Sequence, residues 1–218
     1  MNNKNIIKSI SYDQNEILQW IIKLYCPEGF ELDPTYSKGN FYKKIKPPKY
    51  KFDLYNQEYG ARRASAVSLP FQDNFINNIV FDPPFVISYG PSLKKRMKKS
   101  NVIANRFGYF KSPKQLWQFY EDSIKEAYRI LKENGVYIFK CQDTVSSGKQ
   151  YISHLEIMSM AVKQGFYLKD VFILLAKSRV ISGKHKNQQH ARKFHSYFLV
   201  FIKQESPVKY RYLNGENL

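Results

Sequence analysis

One stretch sets the architecture of this chain: Ile79-Val80-Phe81-Asp82-Pro83-Pro84-Phe85. Its apolar start predicts a buried strand of a parallel sheet, because both faces of such a strand are covered. The prolines end the strand, since proline fixes φ and has no N–H to donate. The Asp82 carboxylate, the Pro83 carbonyl and the Phe85 ring then stand at the carboxyl edge of the sheet, where open α/β folds bind ligands. Such a group suits a flat heterocycle, gripped by its amino group and stacked on an aromatic ring.

The length and composition of the chain predict one domain inside the cell. A chain of 218 residues suffices for one α/β domain with a sizeable core and is too short for two. We expect a single domain over 1–218, with its core over about 13–203. No apolar run has the length of a membrane span, and the start has no signal core. Cys26 and Cys141 lie far apart in no metal spacing, which favours reduced thiols in a cytoplasmic protein.

The charge of the chain indicates a polyanionic partner. Lys and Arg number 35 against 18 acidic residues, which gives a formal net charge of +17. Neutralising phosphates releases condensed counterions, so such a balance favours nucleic acid. A lysine-rich composition explains part of the excess, but the cations are also clustered in a basic loop at 86–111 and ahead of the last strand. The candidate nucleic-acid contacts are Lys94, Lys95, Arg96, Lys98, Lys99, Arg192, Lys193 and His195.

Hydrophobic periodicity predicts an α/β fold. The expected helices cover 13–24 behind a cap at Asp13, 113–133 with a stop at Gly135, and 154–164. The expected strands cover 30–33, 49–54, the run that ends at Asp82, 136–141, 166–175 and 196–202. The last two strands follow each other without a helix. The pattern therefore predicts a mostly parallel sheet with an antiparallel C-terminal hairpin.

Asp82-Pro83-Pro84-Phe85 resembles the D-P-P-[FYW] signature of S-adenosylmethionine-dependent amino-methyltransferases. The resemblance implies a Rossmann-like methyltransferase fold, S-adenosyl-L-methionine as cofactor, and Asp82, Pro83, Pro84 and Phe85 as catalytic residues. Further matches extend it over most of the chain, from about Glu28 to Lys203. The cofactor loop precedes the DPPF motif, which is the order of the gamma arrangement of these enzymes.

Three segments resemble the cofactor site of that family. Asp33-Pro34-Thr35-Tyr36-Ser37-Lys38-Gly39 is similar to its D-P-F-x-G-x-G loop, except that Thr35 replaces phenylalanine and Ser37 replaces the first glycine. A tight turn after a strand presents backbone N–H groups to an anion. Asp53 matches the acid that accepts the ribose hydroxyls, and the segment Leu69 to Asp73 resembles the loop at the cofactor adenine. The implied cofactor-binding residues are Asp33, Pro34, Thr35, Gly39, Asp53, Leu54, Leu69 and Asp73.

The end of the chain resembles the closing hairpin of prokaryotic and phage DNA adenine methyltransferases, which favours DNA over RNA. The resemblance implies transfer of a methyl group to N6 of an extrahelical adenine. No stretch is long enough for a separate target-recognition domain, so the basic loops, a protein partner or a second copy of the chain would supply recognition. Two other readings stay open, namely an RNA N-methyltransferase and a catalytically weak nucleic-acid-binding subunit. The histidines show no convincing metal spacing, and we expect no metal site.

Overall fold

The computed structural model describes residues 6–55, 60–85, 110, 112–146, 148–178 and 189–204. The strands are β1 (Ile10–Ser11), β2 (Leu32–Asp33), β3 (Tyr50–Asp53), β4 (Arg62–Arg63), β5 (Ile76–Phe81), β6 (Leu131–Cys141), β7 (Thr144–Ser146), β8 (Lys149–Tyr151), β9 (Phe166–Leu175) and β10 (His195–Lys203). The helices are α1 (Gln14–Tyr25), a 3₁₀ turn (Asn40–Tyr42), α2 (Pro113–Ile130) and α3 (Ser153–Gln164).

Eight of the described strands form one sheet, in the order β1-β9-β10-β6-β5-β2-β3-β4. Strand β10 runs antiparallel to β6 and β9, and the other pairs in this sheet are parallel. The predicted mostly parallel sheet with an antiparallel C-terminal hairpin is therefore confirmed. Strands β7 and β8 pair in a small separate hairpin, which the periodicity did not reveal.

Both faces of the central strands are buried, because alternate residues of a strand point to opposite faces. Ile79 and Phe81 of β5 pack with α2 and α3, whereas Val80 packs on the other face with α1. The same alternation in β6 places Tyr137 and Phe139 on the first face and Ile138 on the second. The apolar run before Asp82 is thus the central buried strand that its composition predicts.

The helix ends follow local sequence signals, with one correction. Asp13 caps α1 by accepting a hydrogen bond from the backbone of Asn15 at 2.9 Å. Helix α2 ends at Ile130 and not near residue 133, because the chain enters β6 at once. Gly135 lies within β6, where a Cβ would stand 2.7 Å from the carbonyl oxygen of Lys132. Gly135 therefore permits a close backbone approach and does not stop the helix.

A buried lysine fixes the junction between α2 and β6. The side chain of Lys203, on β10, is 6% exposed, and its Nζ donates to the carbonyl oxygens of Tyr128 at 2.8 Å and Leu131 at 2.9 Å. Nζ also donates to Oδ1 of Asn74 at 2.7 Å. These contacts lie at the amino edge of the parallel strands, far from the edge that carries Asp82.

Within the described ranges, no helix is both long enough and apolar enough to cross a membrane. Cys26 and Cys141 are both buried and free. The basic residues Lys94, Lys95, Arg96, Lys98 and Lys99 lie outside the described residues.

Candidate active site

Four parallel strands bring polar side chains to one edge of the sheet. Asp33 ends β2, Asp53 ends β3, Asp82 directly follows β5, and Lys140 is the penultimate residue of β6. Carboxyl ends of neighbouring parallel strands meet at the same edge, so residues 107 positions apart in sequence become neighbours. The structure thus joins the DPPF motif to the candidate cofactor residues Asp33 and Asp53.

The DPPF tetrapeptide is held by contacts from three other elements. The backbone N–H of Asp82 donates to Oγ1 of Thr35 at 3.2 Å, and Oδ2 of Asp82 accepts from Nζ of Lys140 at 3.4 Å. The hydroxyl of Tyr120, on α2, donates to the carbonyl oxygen of Pro84 at 3.3 Å. Burial raises the pKa of Tyr120 well above its usual value, so its hydroxyl keeps the proton that it donates. Phe85 is 37% exposed and is the one large ring of the tetrapeptide.

Asp33 is buried beneath the loop that follows β2. Its Oδ1 accepts from the backbone N–H of Thr35 at 2.7 Å and from the Thr35 hydroxyl at 3.1 Å, while Oδ2 accepts from the Tyr42 hydroxyl at 2.8 Å. Burial raises the pKa of Asp33 to about 7, and the hydrogen bonds from Thr35 and Tyr42 act in the opposite direction. Asp33 therefore changes its charge near neutral pH.

Asp53 organises the same loop from the neighbouring strand. Its Oδ2 accepts from the backbone N–H of Ser37 at 3.0 Å, and its Oδ1 accepts from that of Tyr55 at 2.8 Å. Ser37 has a φ of 51° and Gly39 a φ of 67°, both in the left-handed region. Ser37 stands where the resembled loop has glycine. The loop therefore places a residue with a Cβ in a left-handed conformation that glycine adopts at lower cost. Leu54, the next residue after Asp53, is exposed.

Two clefts open on either side of Asp82. One has a volume of about 210 Å³ and is lined by Asp33, Thr35 and the 36–41 loop. The other has a volume of about 330 Å³ and is lined by Phe85, Gln142, Ser196 and the end of β9, with the exposed ring of Tyr12. Both clefts share Gln14, Asp82 and Lys140, so these residues form the wall between them.

The structure does not bring Asp73 to this edge. Asp73 precedes β5, and its Oδ1 accepts from a guanidinium nitrogen of Arg129 at 2.6 Å near the end of α2. Asp73 stands at the amino edge of the sheet, so its expected contact with a cofactor adenine stays a prediction that this placement does not support. Leu69 is buried in the core, and its N–H donates to Oε1 of Glu126 at 2.6 Å. Pro34 and Leu69 line one small interior cavity.

The described residues 189–194 of the second basic segment lead into β10, and the start of β10 lies beside the carboxyl end of β6. Arg192 is exposed and Lys193 is half-buried. The His195 ring lies 3.0 Å from the Tyr197 hydroxyl, and the His195 carbonyl accepts from Gln142 at 2.6 Å. Nearby, Nδ1 of His154 lies 2.8 Å from Oδ1 of Asp143. No group of three or more His, Cys, Asp or Glu side chains in the described part of the chain is arranged to hold a metal ion.

Sequence reasoning missed three residues of the site, namely Gln14, Tyr120 and Lys140. Lys140 carried a usable signal, since it interrupts the apolar run 136–141 and a buried charge requires a partner. Tyr120 and Gln14 carried none. Their contacts depend on where α1 and α2 pack, and periodicity alone does not give that position.

Comparison with known proteins gives one family and one fold. The model of a DNA methylase family, N6_N4_Mtase, matches residues 76–217. A S-adenosylmethionine-dependent methyltransferase from Thermotoga maritima is 16% identical with a TM-score of 0.51, over 89% of this chain and 90% of that chain. No match to the curated proteins was found. The fold is thus that of the Rossmann-like methyltransferases. The chain belongs to the DNA methylase family.

Other solved structures align over a smaller share of their length. A Thermus thermophilus protein, assigned as a DNA modification methylase and bound to S-adenosyl-L-methionine, is 14% identical with a TM-score of 0.42, over 63% of this chain and 51% of that chain. The PvuII DNA methyltransferase, specific for cytosine N4, is 16% identical with a TM-score of 0.46, over 65% of this chain and 47% of that chain. This chain therefore spans about half the length of these proteins.

Proposed function

We propose that the protein is a S-adenosyl-L-methionine-dependent methyltransferase that acts on DNA and methylates the exocyclic N6 amino group of an extrahelical adenine. The observation that carries the proposal is the placement of Asp82. It stands at the wall between two clefts, followed by two prolines and an exposed ring. The membership of the DNA methylase family and the DPPF motif, which follows the cofactor loop in the gamma-like order, support the same function.

The cleft lined by Asp33, Thr35 and the loop after β2 suits the cofactor, and β3 lies next to β2 in the sheet. Asp33, Pro34, Thr35 and Gly39 would surround its methionine end, and Asp53 with Leu54 would hold its ribose and adenine. A carboxylate accepts hydrogen bonds at both oxygens, which is the chemistry that ribose hydroxyls require, and the Asp53 carboxylate stands at the end of β3 beside the cofactor loop. The bound cofactor supplies a methyl group on a positively charged sulfur that is open to attack in line.

The cleft beside Phe85 suits the target base. An amino nitrogen on adenine is a poor nucleophile, because its lone pair is delocalised into the ring. Hydrogen bonds from its two protons to the Asp82 carboxylate and the Pro83 carbonyl would favour a pyramidal nitrogen with a localised lone pair. Preorganised positions and charges of the protein groups would then account for most of the rate enhancement, since the acceptors need no rearrangement during the reaction.

The Phe85 ring would stack on the base once the base has left the duplex. A target atom inside a duplex is inaccessible, so enzymes that modify a base first flip it out or use unpaired substrate. Asp82 need not be a strong base, because the methylated nitrogen can lose its proton to solvent after transfer. The contacts of Thr35, Tyr120 and Lys140 hold the acceptors in place meanwhile.

The family name covers both adenine N6 and cytosine N4, so cytosine is the second candidate base. The experiment is methyl transfer in vitro from S-adenosylmethionine to unmodified duplex DNA, single-stranded DNA and RNA, followed by mass spectrometry of the nucleosides. We expect N6-methyladenine in DNA. N4-methylcytosine would move the assignment to the second base, and product in RNA alone would overturn the DNA substrate.

The Asp82→Ala variant is the control for the site itself. We expect its rate of methyl transfer to fall by more than the ~10²-fold that removal of one preorganised polar contact costs. Binding of the cofactor should stay largely intact. Near-normal turnover in that variant would contradict the role of the DPPF motif. No transfer by the wild type, together with no binding of S-adenosylmethionine in calorimetry, would favour a catalytically weak nucleic-acid-binding subunit.

A further inference from the structure

Lys140 is a charged residue in a position that an apolar side chain would normally occupy. It follows Tyr137, Ile138 and Phe139 along β6, all of which are buried, and its own side chain is 19% exposed. A partly buried ammonium loses hydration, so its placement requires compensating contacts. Those contacts lead to the DPPF motif.

We propose that Lys140 is a positioning residue for methyl transfer, which holds the Asp82 carboxylate in place as an acceptor for the amino group of the target base. This inference rests on the proposed function. Nζ of Lys140 lies 3.4 Å from Oδ2 of Asp82, and Lys140 is a lining residue of both clefts. With Oδ2 engaged by the ammonium, Oδ1 is the oxygen that accepts from the target.

Lys140 is itself held by contacts with three other elements. Its Nζ donates to Oε1 of Gln14 at 3.1 Å, and Nε2 of Gln14 donates to the carbonyl oxygen of Phe41 at 3.1 Å. Nζ also lies over the rings of Phe41 at 5.0 Å and Phe198 at 5.7 Å. The amide and the rings restrict the ammonium to the side of the site where Asp82 stands.

The two acids Asp33 and Asp82 at this edge are held by different donors. Asp33 has the Thr35 and Tyr42 donors, whereas the cation that contacts Asp82 is Lys140. Loss of the Lys140 ammonium would remove the side-chain contact to Oδ2 that orients the Asp82 carboxylate.

The test compares Lys140→Met, which removes the charge and keeps an unbranched side chain that is one atom shorter, with Lys140→Arg, which keeps the charge. We expect Lys140→Met to lower kcat by about tenfold to a hundredfold, as small misplacements of reacting groups do. The dissociation constant of S-adenosylmethionine should stay within about twofold, because the effect acts through Asp82. Lys140→Arg should restore most of kcat, and Lys140→Met should cost nothing further in an Asp82→Ala background.

Lys203, a buried lysine that also lies on a strand, provides the matched control. Lys203→Met removes a buried ammonium at the opposite edge of the sheet, so it should lower the melting temperature and leave kcat unchanged. Unchanged kcat in Lys140→Met would overturn the inference, as would a weakened cofactor with unchanged kcat. Should Lys140→Met fail to fold, Lys140→Gln takes its place under the same criteria. Failure of the wild type to methylate any nucleic acid would instead reject the proposed function.

Discussion

The backbone N–H of Asp82 donates to the hydroxyl oxygen of Thr35 over 3.2 Å, and that hydroxyl in turn donates to Oδ1 of Asp33 over 3.1 Å. One small side chain therefore connects the loop after β2 with the loop after β5. The residue at position 35 is also where the chain departs from the phenylalanine of the resembled loop. The departure has a structural consequence, because phenylalanine has no hydroxyl with which to make this bridge.

Thr35→Val should weaken the connection between the two loops. Valine has the shape of threonine without the oxygen, so the Asp82 N–H and Asp33 each lose a partner, at about 1–3 kcal/mol for an unsatisfied buried group. We expect kcat to fall by roughly tenfold as Asp82 loosens. Thr35→Ser keeps the hydroxyl and should retain most of the activity. Equal kcat values for the valine and serine variants would show that the bridge plays no part in the reaction.

Ser37→Gly should stabilise the protein. Ser37 has a φ of 51°, and its Oγ is buried without a hydrogen bond to any described residue. Glycine adopts this conformation without the Cβ penalty of about 1 kcal/mol or more. We expect the melting temperature to rise by about 2–4 °C, as measured by differential scanning calorimetry. Asn134→Gly, at a φ of 62°, is the control and should gain less, because asparagine tolerates this region. A fall in melting temperature for Ser37→Gly would contradict the strain argument.

Local rules account for the parts of this protein that the sequence predicted. The buried strand before Asp82, the cap at Asp13 and the closing hairpin depend on neighbouring residues or on simple periodicity. Contacts between distant elements could not be predicted in that way. Lys140 pairs with Asp82 only because β5 and β6 are neighbours in the sheet. Asp73 was assigned to the cofactor from its place in the chain, whereas its position depends on Arg129 at the end of α2.

Asp53→Asn should weaken the cofactor and leave the fold intact. The loss of a carboxylate that accepts from two hydroxyls costs on the order of 1.5–3 kcal/mol, or roughly tenfold to a hundredfold in affinity. Calorimetric titration with S-adenosylmethionine measures the change. Asp73→Asn serves as the control and should bind the cofactor normally, since Asp73 stands at the opposite edge of the sheet. Unchanged affinity in Asp53→Asn would show that Asp53 orders the loop and does not contact the cofactor.

Binding of the cofactor should depend on pH through Asp33. Burial raises the pKa of Asp33 to about 7, so the side chain is protonated and neutral below that pH. In the proposed site Asp33 lies near the positively charged amino group at the methionine end of the cofactor. A neutral Asp33 would not attract that group, and we expect affinity to fall by about tenfold from roughly pH 8 to roughly pH 6. Asp33→Asn should remove this dependence. Parallel pH profiles for wild type and Asp33→Asn would show that Asp33 does not face the cofactor.

Ionisation of Asp33 should favour cofactor binding, but it should lower the free energy of unfolding of the cofactor-free protein. The pKa of Asp33 in the folded protein lies above the usual aspartate value of 3.8, so the folded state holds this proton over a wider pH range than the unfolded state. The contribution of Asp33 to the free energy of unfolding is then largest at low pH and decreases as the pH rises from about 4 to about 7. Urea titrations of wild type and Asp33→Asn over this window should converge at acidic pH. A difference that is independent of pH would contradict the raised pKa.

Affinity for nucleic acid should depend strongly on salt if cationic side chains replace a recognition domain. Each phosphate neutralised contributes about −0.9 to the slope of log affinity against log salt on duplex DNA. Replacing Lys94, Lys95 and Arg96 by alanine should flatten the slope by roughly two to three units and weaken binding to all sequences alike. Arg192→Ala with Lys193→Ala should flatten it by roughly one to two units. The control is Lys125→Ala, on the exposed face of α2 and paired with Glu121 at 2.7 Å, which should leave the slope unchanged. Filter binding over a salt series measures all four proteins, and identical slopes would show that neither basic segment contacts the phosphates.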